Sequence, residues 1–74
     1  LEQAAWPFPG AIALKEQGAQ RTQFHVLRDW HYLGSATSLA GARRLQATPG
    51  AFDRDCYRIL RKYLETQLHC VSLL

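Results

Sequence analysis

No stretch of this chain approaches the roughly 18 to 20 consecutive apolar residues that a membrane-spanning helix requires, and no charged-then-apolar leader is present. The chain is therefore expected to be soluble and cytoplasmic, with no membrane partner and with any targeting signal upstream. Cysteine is scarce as well: Cys56 and Cys70 stand fourteen residues apart with no second pair. That spacing fits neither a zinc ribbon nor a disulfide scaffold and reads as two free thiols. Gly10, Gly18, Gly34, Gly41 and Gly50 are each isolated, so there is no glycine-rich phosphate loop. Ser35 and Ser38 lie in no nucleophile-elbow context, and His25, His31 and His69 are too dispersed for a short-range metal site. A self-standing enzyme is not expected. Internal repeats and low-complexity segments are absent too, as is an initiator methionine, and the abrupt start Leu1-Glu2-Gln3-Ala4-Ala5 reads as a piece of a larger protein.

What remains is an ordinary globular composition. The 74 residues are 47% hydrophobic and 20% charged, enough for a single small domain over residues 1–74. A chain of this size buries only about 60 to 65% of the surface its unfolded form exposes, so the core is thin. Nine Lys and Arg against six Asp and Glu give a net charge of +3, and most of the cations are Arg, which suits bidentate phosphate contacts. The balance favours an anionic partner weakly.

Trp6-Pro7-Phe8-Pro9-Gly10-Ala11-Ile12-Ala13-Leu14-Lys15-Glu16 joins an aromatic, proline-locked segment to a strand. Each proline fixes its own φ and keeps the residue before it extended. Ile12 and Leu14 alternate with Ala11, Ala13 and Lys15, the period of a half-buried strand. Gln17-Gly18-Ala19-Gln20-Arg21 is a polar connection suited to a hairpin loop of four or five residues, and Thr22 to Asp29 forms a second strand, with Asp29 suited to begin a tight turn or bulge; with the hairpin in register, Phe24 and Val26 face the Ile12 and Leu14 side. Trp30 to Ala36 reads as a third strand. After it Ser38 caps a short helix through Leu39, Ala42 and Leu45, ended by Thr48-Pro49-Gly50.

Asp53 caps a longer helix reaching to about Gln67, with Asp55 in its first turn. Cys56, Ile59, Leu60 and Tyr63 form its apolar face, with Phe52 directed the same way. Arg54, Arg58, Arg61 and Lys62 lie opposite, and Arg43 and Arg44 of the shorter helix extend the basic surface. That surface either tracks DNA phosphates or is an ordinary solvated face, with Glu65 lowering its charge. Trp30, His31 or Tyr32 either stack on an unpaired base or belong to the core. Trp6 and Phe8 either cover the open end of the sheet or dock the module on a preceding domain. Asp53 and Asp55 are read as capping groups rather than metal ligands, and Glu16 has no evident partner. The tail from His69 to Leu74 is apolar but has no assigned place.

The run from Trp6 to Glu16, then Phe24-His25-Val26 with Trp30-His31-Tyr32-Leu33-Gly34, then Phe52-Asp53-Arg54-Asp55-Cys56-Tyr57-Arg58-Ile59-Leu60, resembles the extreme C-terminal region of the Cho family of UvrC-homologue GIY-YIG endonucleases. That region also ends longer relatives that carry a DnaQ-like 3′–5′ exonuclease. The resemblance covers residues 6 to about 64; Cys56, Tyr63 and the ending Val71 to Leu74 depart from it. It implies a parent enzyme of nucleotide excision repair that incises DNA 3′ to a lesion, using a divalent metal in an upstream GIY-YIG domain and possessing a cysteine cluster for an iron–sulfur centre. The family's catalytic tyrosines, metal-binding glutamate and cysteine cluster have no counterpart in this chain, so no catalytic residue, metal or cofactor is assigned to it. The expectation is an α+β module, a three-stranded antiparallel meander packed against two C-terminal helices. Its task is accessory: positioning DNA, or docking the upstream nuclease domain or a UvrB-like protein.

Overall fold

The computed structural model describes residues 4–74, so the opening Leu1 to Gln3 lies outside the described residues. Three strands form the expected meander: β1 (Ile12–Gln17), β2 (Thr22–Arg28) and β3 (His31–Ala36). Two helices follow, α1 (Leu39–Leu45) and α2 (Arg54–Thr66). The unplaced tail makes a single 3-10 turn, Leu68–Cys70, and then a short fourth strand, β4 (Val71–Leu73). β4 pairs antiparallel with β1, so the sheet order is β3-β2-β1-β4 and the first strand is central. The architecture is α+β with four antiparallel strands rather than three.

The register of the first hairpin differs from the expectation by one residue. Ile12 faces Leu27 and Leu14 faces His25, while Val26 lies opposite Ala13 and Phe24 opposite Lys15. The cause is loop parity. Gln17 pairs with Thr22 and belongs to the strand, leaving a four-residue loop at residues 18–21, the shorter of the two expected lengths. An even loop pairs even-numbered residues with odd ones and so moves every β2 side chain to the other face. The Gly18 amide donates to the Arg21 carbonyl at 2.8 Å, and a Cβ at Gly18 would stand 2.8 Å from that same oxygen, closer than packing allows.

The helices consequently take opposite faces of the sheet. Ile12, Leu14, Leu27 and Trp30 pack with Tyr57 and Leu64 of α2, whereas Ala13, Val26 and Leu33 pack with Ala42 of α1. Ile12, Val26 and Leu27 are fully buried, each contributing roughly 1.5 to 3 kcal/mol. β3 carries a bulge where the register shifts between Val26 and Leu27; it lets Leu33 join the α1 side, with Gly34 at φ +132° against Leu45.

Trp30 is not in β3. Asp29 and Trp30 form the two-residue turn between β2 and β3, both with positive φ, 51° and 67°. This is the geometry of the tight hairpin turn that normally recruits Asn-Gly. The bulky side chain is tolerated because it is buried: the indole is 5% exposed, donates its Nε1–H to the Ala4 carbonyl at 2.8 Å, and meets Trp6 and Tyr57 edge to face at 5.0 and 4.9 Å. The Ala4 amide in turn donates to the Tyr57 hydroxyl. Trp6 donates its Nε1–H to the Gly10 carbonyl at 2.8 Å and holds Phe8 edge to face at 5.2 Å. Residues 4–10 are therefore strapped across the aromatic end of the α2-side core.

Candidate nucleic-acid interface

α2 begins where the sequence places it. The Asp53 carboxylate accepts from the Asp55 amide at 3.1 Å, which is the cap bond, and Asp55 lies in the first turn by the positive end of the dipole. Phe52 just before the cap meets Tyr57 four residues beyond it, ring centroids 5.8 Å apart, in the arrangement of a hydrophobic staple.

The helix is rotated by about a quarter turn from the expected face. Tyr57 and Leu64 are buried and Leu60 is half-buried, while Cys56 is exposed and Ile59 is 66% exposed. The physical reason is Trp30. Its buried indole offers α2 an aromatic surface that Tyr57 covers with its ring while its hydroxyl pins the strap, and Leu64 follows two turns along the same line.

Arg54, Arg58, Arg61 and Lys62 are all exposed along α2. Arg61 borders the core rather than opposing it, with its guanidinium carbon 5.9 Å from the Tyr57 ring centroid. Among the described residues none of the four is held in an ion pair; the one close contact of a carboxylate with a basic side chain is Glu16 with His25. Arg43 and Arg44 lie exposed in the last turn of α1, which packs on the other face of the sheet. They therefore do not extend the α2 row. Arg28 is occupied structurally: its guanidinium donates to the carbonyls of Gln46, and of Thr48 at 3.3 Å, closing the end of α1.

The aromatic residues separate into two groups. Trp30 belongs to the core, and Trp6 and Phe8 pack as half-buried residues against the same cluster. Phe52, placed with the apolar face of α2 by the sequence reading, is 43% exposed, with the His31 ring also close at 5.7 Å. Its position at a cap junction was the available signal, since a staple residue contacts one neighbour and leaves the rest of its ring to solvent.

Glu16 does have a partner. Leu14 pairs with His25, so Glu16 is the diagonal neighbour of His25 on one face, and its carboxylate lies 2.9 Å from His25 Nε2. A carboxylate only accepts, so Nε2 donates, and Nδ1 of a neutral ring accepts from the Tyr32 hydroxyl at 3.0 Å. Beside this network Leu14, Leu27, Cys56, Ile59 and Leu60 line an apolar hollow of about 220 Å³. A larger one of about 440 Å³ opens between the strap and α2, with Ala4, Pro7 and Phe8 on one wall and Arg61, Leu64 and Leu68 on the other. Partial desolvation, then the Asp53 carboxylate, push the Cys56 thiol above its ordinary range. Desolvation, then Cys70, push the Tyr63 phenol up as well. Among the described residues no three His, Cys, Asp or Glu side chains converge as a metal-binding set. No helix among them is long and apolar enough to cross a membrane.

A family model for the excinuclease Cho C-terminal domain matches residues 11–74. The chain belongs to that family. Members named excinuclease cho are 50% identical to it in Salmonella typhimurium and 47% in Escherichia coli K12 and Shigella flexneri, each over 64 residues covering 86% of this chain. The chain spans only 22% of the length of these curated relatives. No solved structure matches it. The Cho C-terminal match begins at Ala11, on the threshold of β1, and runs through β4. The tail that departs from the sequence resemblance thus lies inside the family, whereas Trp6 to Pro9 lies before the matched segment.

Proposed function

We propose that this domain is a noncatalytic accessory module of a Cho-type DNA repair nuclease and that it positions DNA through Arg54, Arg58, Arg61 and Lys62. The observation that carries the reading is a row of four exposed cations on one helix, free of ion pairs among the described residues and recurring about a turn apart, with Glu65 among them. Such a row suits a line of phosphates, and its binding strength is set by counterion release. Incision 3′ to a lesion belongs in this reading to an upstream GIY-YIG domain, with its divalent metal and any iron–sulfur centre; the present residues contribute hold and orientation. The test is DNA affinity of this chain across a salt series. About four phosphate contacts give a log–log slope near −3 to −4 on duplex DNA, and reversing all four charges should flatten it and weaken binding at least tenfold. An unchanged slope removes the reading.

A second reading has its own support. The apolar hollow between the strap and Leu64 and Leu68 opens beside Phe8, where the chain enters the domain, and Leu68 is 60% exposed. It suits a contact with the upstream nuclease domain, with a UvrB-like protein as the alternative occupant, and needs no DNA. Self-association or domain docking measured by light scattering, with no DNA affinity, supports only this one.

A further inference from the structure

Phe52 is an exposed aromatic ring just before the helix that carries the basic row, linked to Arg61 through Tyr57. It is 43% exposed, with the His31 ring 5.7 Å and the Tyr57 ring 5.8 Å from its own, both tilted to it, and Tyr57 carries the Arg61 guanidinium on its ring. His31 is itself fixed, its Nδ1 bonded to the Asp29 carbonyl at 2.8 Å. Phe52 therefore has little rotamer freedom left to lose on binding, and a stacked ligand gains most where the platform is already ordered. Asp53 and Asp55 repel phosphate at the helix start itself, with the Asp53 carboxylate turned back onto the Asp55 amide. Phosphates are thereby directed past the first turn to Arg58, Arg61 and Lys62, while the space over Phe52 is left to an uncharged, flat group.

From this geometry we infer that the α2 surface takes unpaired rather than fully duplex DNA, with one base stacked on Phe52 and the adjoining phosphates on Arg58, Arg61 and Lys62. The inference rests on the phosphate-binding reading above and adds the substrate form to it. A base inside a duplex offers only its edges to a side chain; an unpaired base offers its π-face, and stacking on one aromatic ring is tolerant of sequence. Single-strand ends, gaps or bubbles are the chemistry recognised, and duplex is held by the cations alone.

The test compares a single-stranded oligonucleotide carrying 2-aminopurine with a duplex of the same length, using this chain and four variants. The unaltered chain should bind the single strand more tightly than the duplex and quench the 2-aminopurine. Phe52→Ala should weaken the single strand roughly tenfold and abolish the quench while leaving duplex affinity unchanged. Phe52→Leu retains an apolar contact with Tyr57, so a matching loss there assigns the effect to the missing ring and not to a loosened helix; Phe52→Trp should restore it. Arg58→Glu with Lys62→Glu should weaken both ligands. Should Phe52→Ala and Phe52→Leu bind both ligands as the unaltered chain does while charge reversal still weakens both, stacking is overturned and phosphate binding survives. Should the unaltered chain bind neither ligand, both readings fall.

Discussion

The two faces of the sheet are built on different principles. On one, α1 lies close against β2 and β3, with Ala42 fully buried beneath it and Ala13, Val26 and Leu33 filling the gap. On the other, α2 stands off and reaches the sheet through large side chains, Tyr57, Leu60 and Leu64, with the Trp30 indole as the keystone. Small residues close a face completely; large ones hold a helix at a distance and leave hollows beside it, here of about 440 and 220 Å³. The open side is also the one with the α2 cations and Phe52.

The largest effect should come from the keystone. Trp30→Ala removes a buried indole and its bond to Ala4, and is expected to cost about 3 to 5 kcal/mol by denaturant titration. Trp30→Gly removes a further methyl, which elsewhere in a core would be worse. At φ 67°, however, an alanine pays the left-handed penalty of roughly 1 kcal/mol that glycine avoids. The glycine variant should therefore be the more stable of the two. The reverse order would show that the turn relaxes out of its left-handed geometry once the indole is gone, and that α2 is not positioned from Trp30.

Next comes a direct contrast between the faces. Ala42→Leu forces three extra heavy atoms under α1 at a fully buried position and should cost about 1 to 3 kcal/mol. Ile59→Ser on α2 changes a residue that is 66% exposed and should stay within about 0.5 kcal/mol. Similar losses in both would mean that Ile59 is covered in solution, and the simplest cover is a second copy of the chain.

The sequence made some of this legible and not the rest, for identifiable reasons. Both helices start where a short polar residue precedes a periodic run, Ser38 and Asp53, because capping is a local interaction and its signal is local. The three-stranded meander follows from alternation for the same reason. The facing of β2 depended on whether Gln17 belonged to strand or loop, a one-residue question that alternation cannot settle when both faces of β1 are buried. With the register went the Glu16–His25 pair, which exists only across that diagonal. A turn beginning at Asp29 was legible from the residue type, but the place of Trp30 within it was hidden because Trp is not a turn residue by composition; tertiary burial overrides the local preference. The rotation of α2 was hidden in turn, since Tyr57 faces inward only because a distant Trp30 is there. β4 was invisible because three residues carry no period. Of the candidate site, the four cations of α2 could be read from helical spacing, whereas their separation from Arg43 and Arg44 required knowing that the helices take opposite faces.

The smallest expected effect concerns the helix start on the open side. Asp53 both caps α2 and acts on the exposed Cys56 thiol, whose pKa it helps to raise after desolvation. A raised thiol pKa means less thiolate at neutral pH and slower alkylation, with the rate climbing as pH rises past the ordinary thiol range. Asp53→Asn keeps a side-chain oxygen able to accept from the Asp55 amide, so stability should change by only a few tenths of a kcal/mol, but it removes the charge. Cys56 should then alkylate several-fold faster at neutral pH, as read by peptide mass spectrometry, while Cys70 in the same sample keeps its rate. If both cysteines accelerate together, the substitution has loosened the domain as a whole and the cap holds more of α2 in place than its single hydrogen bond implies. If neither changes, desolvation alone sets the Cys56 thiol, and the open face is less accessible at the start of α2 than its exposed side chains suggest.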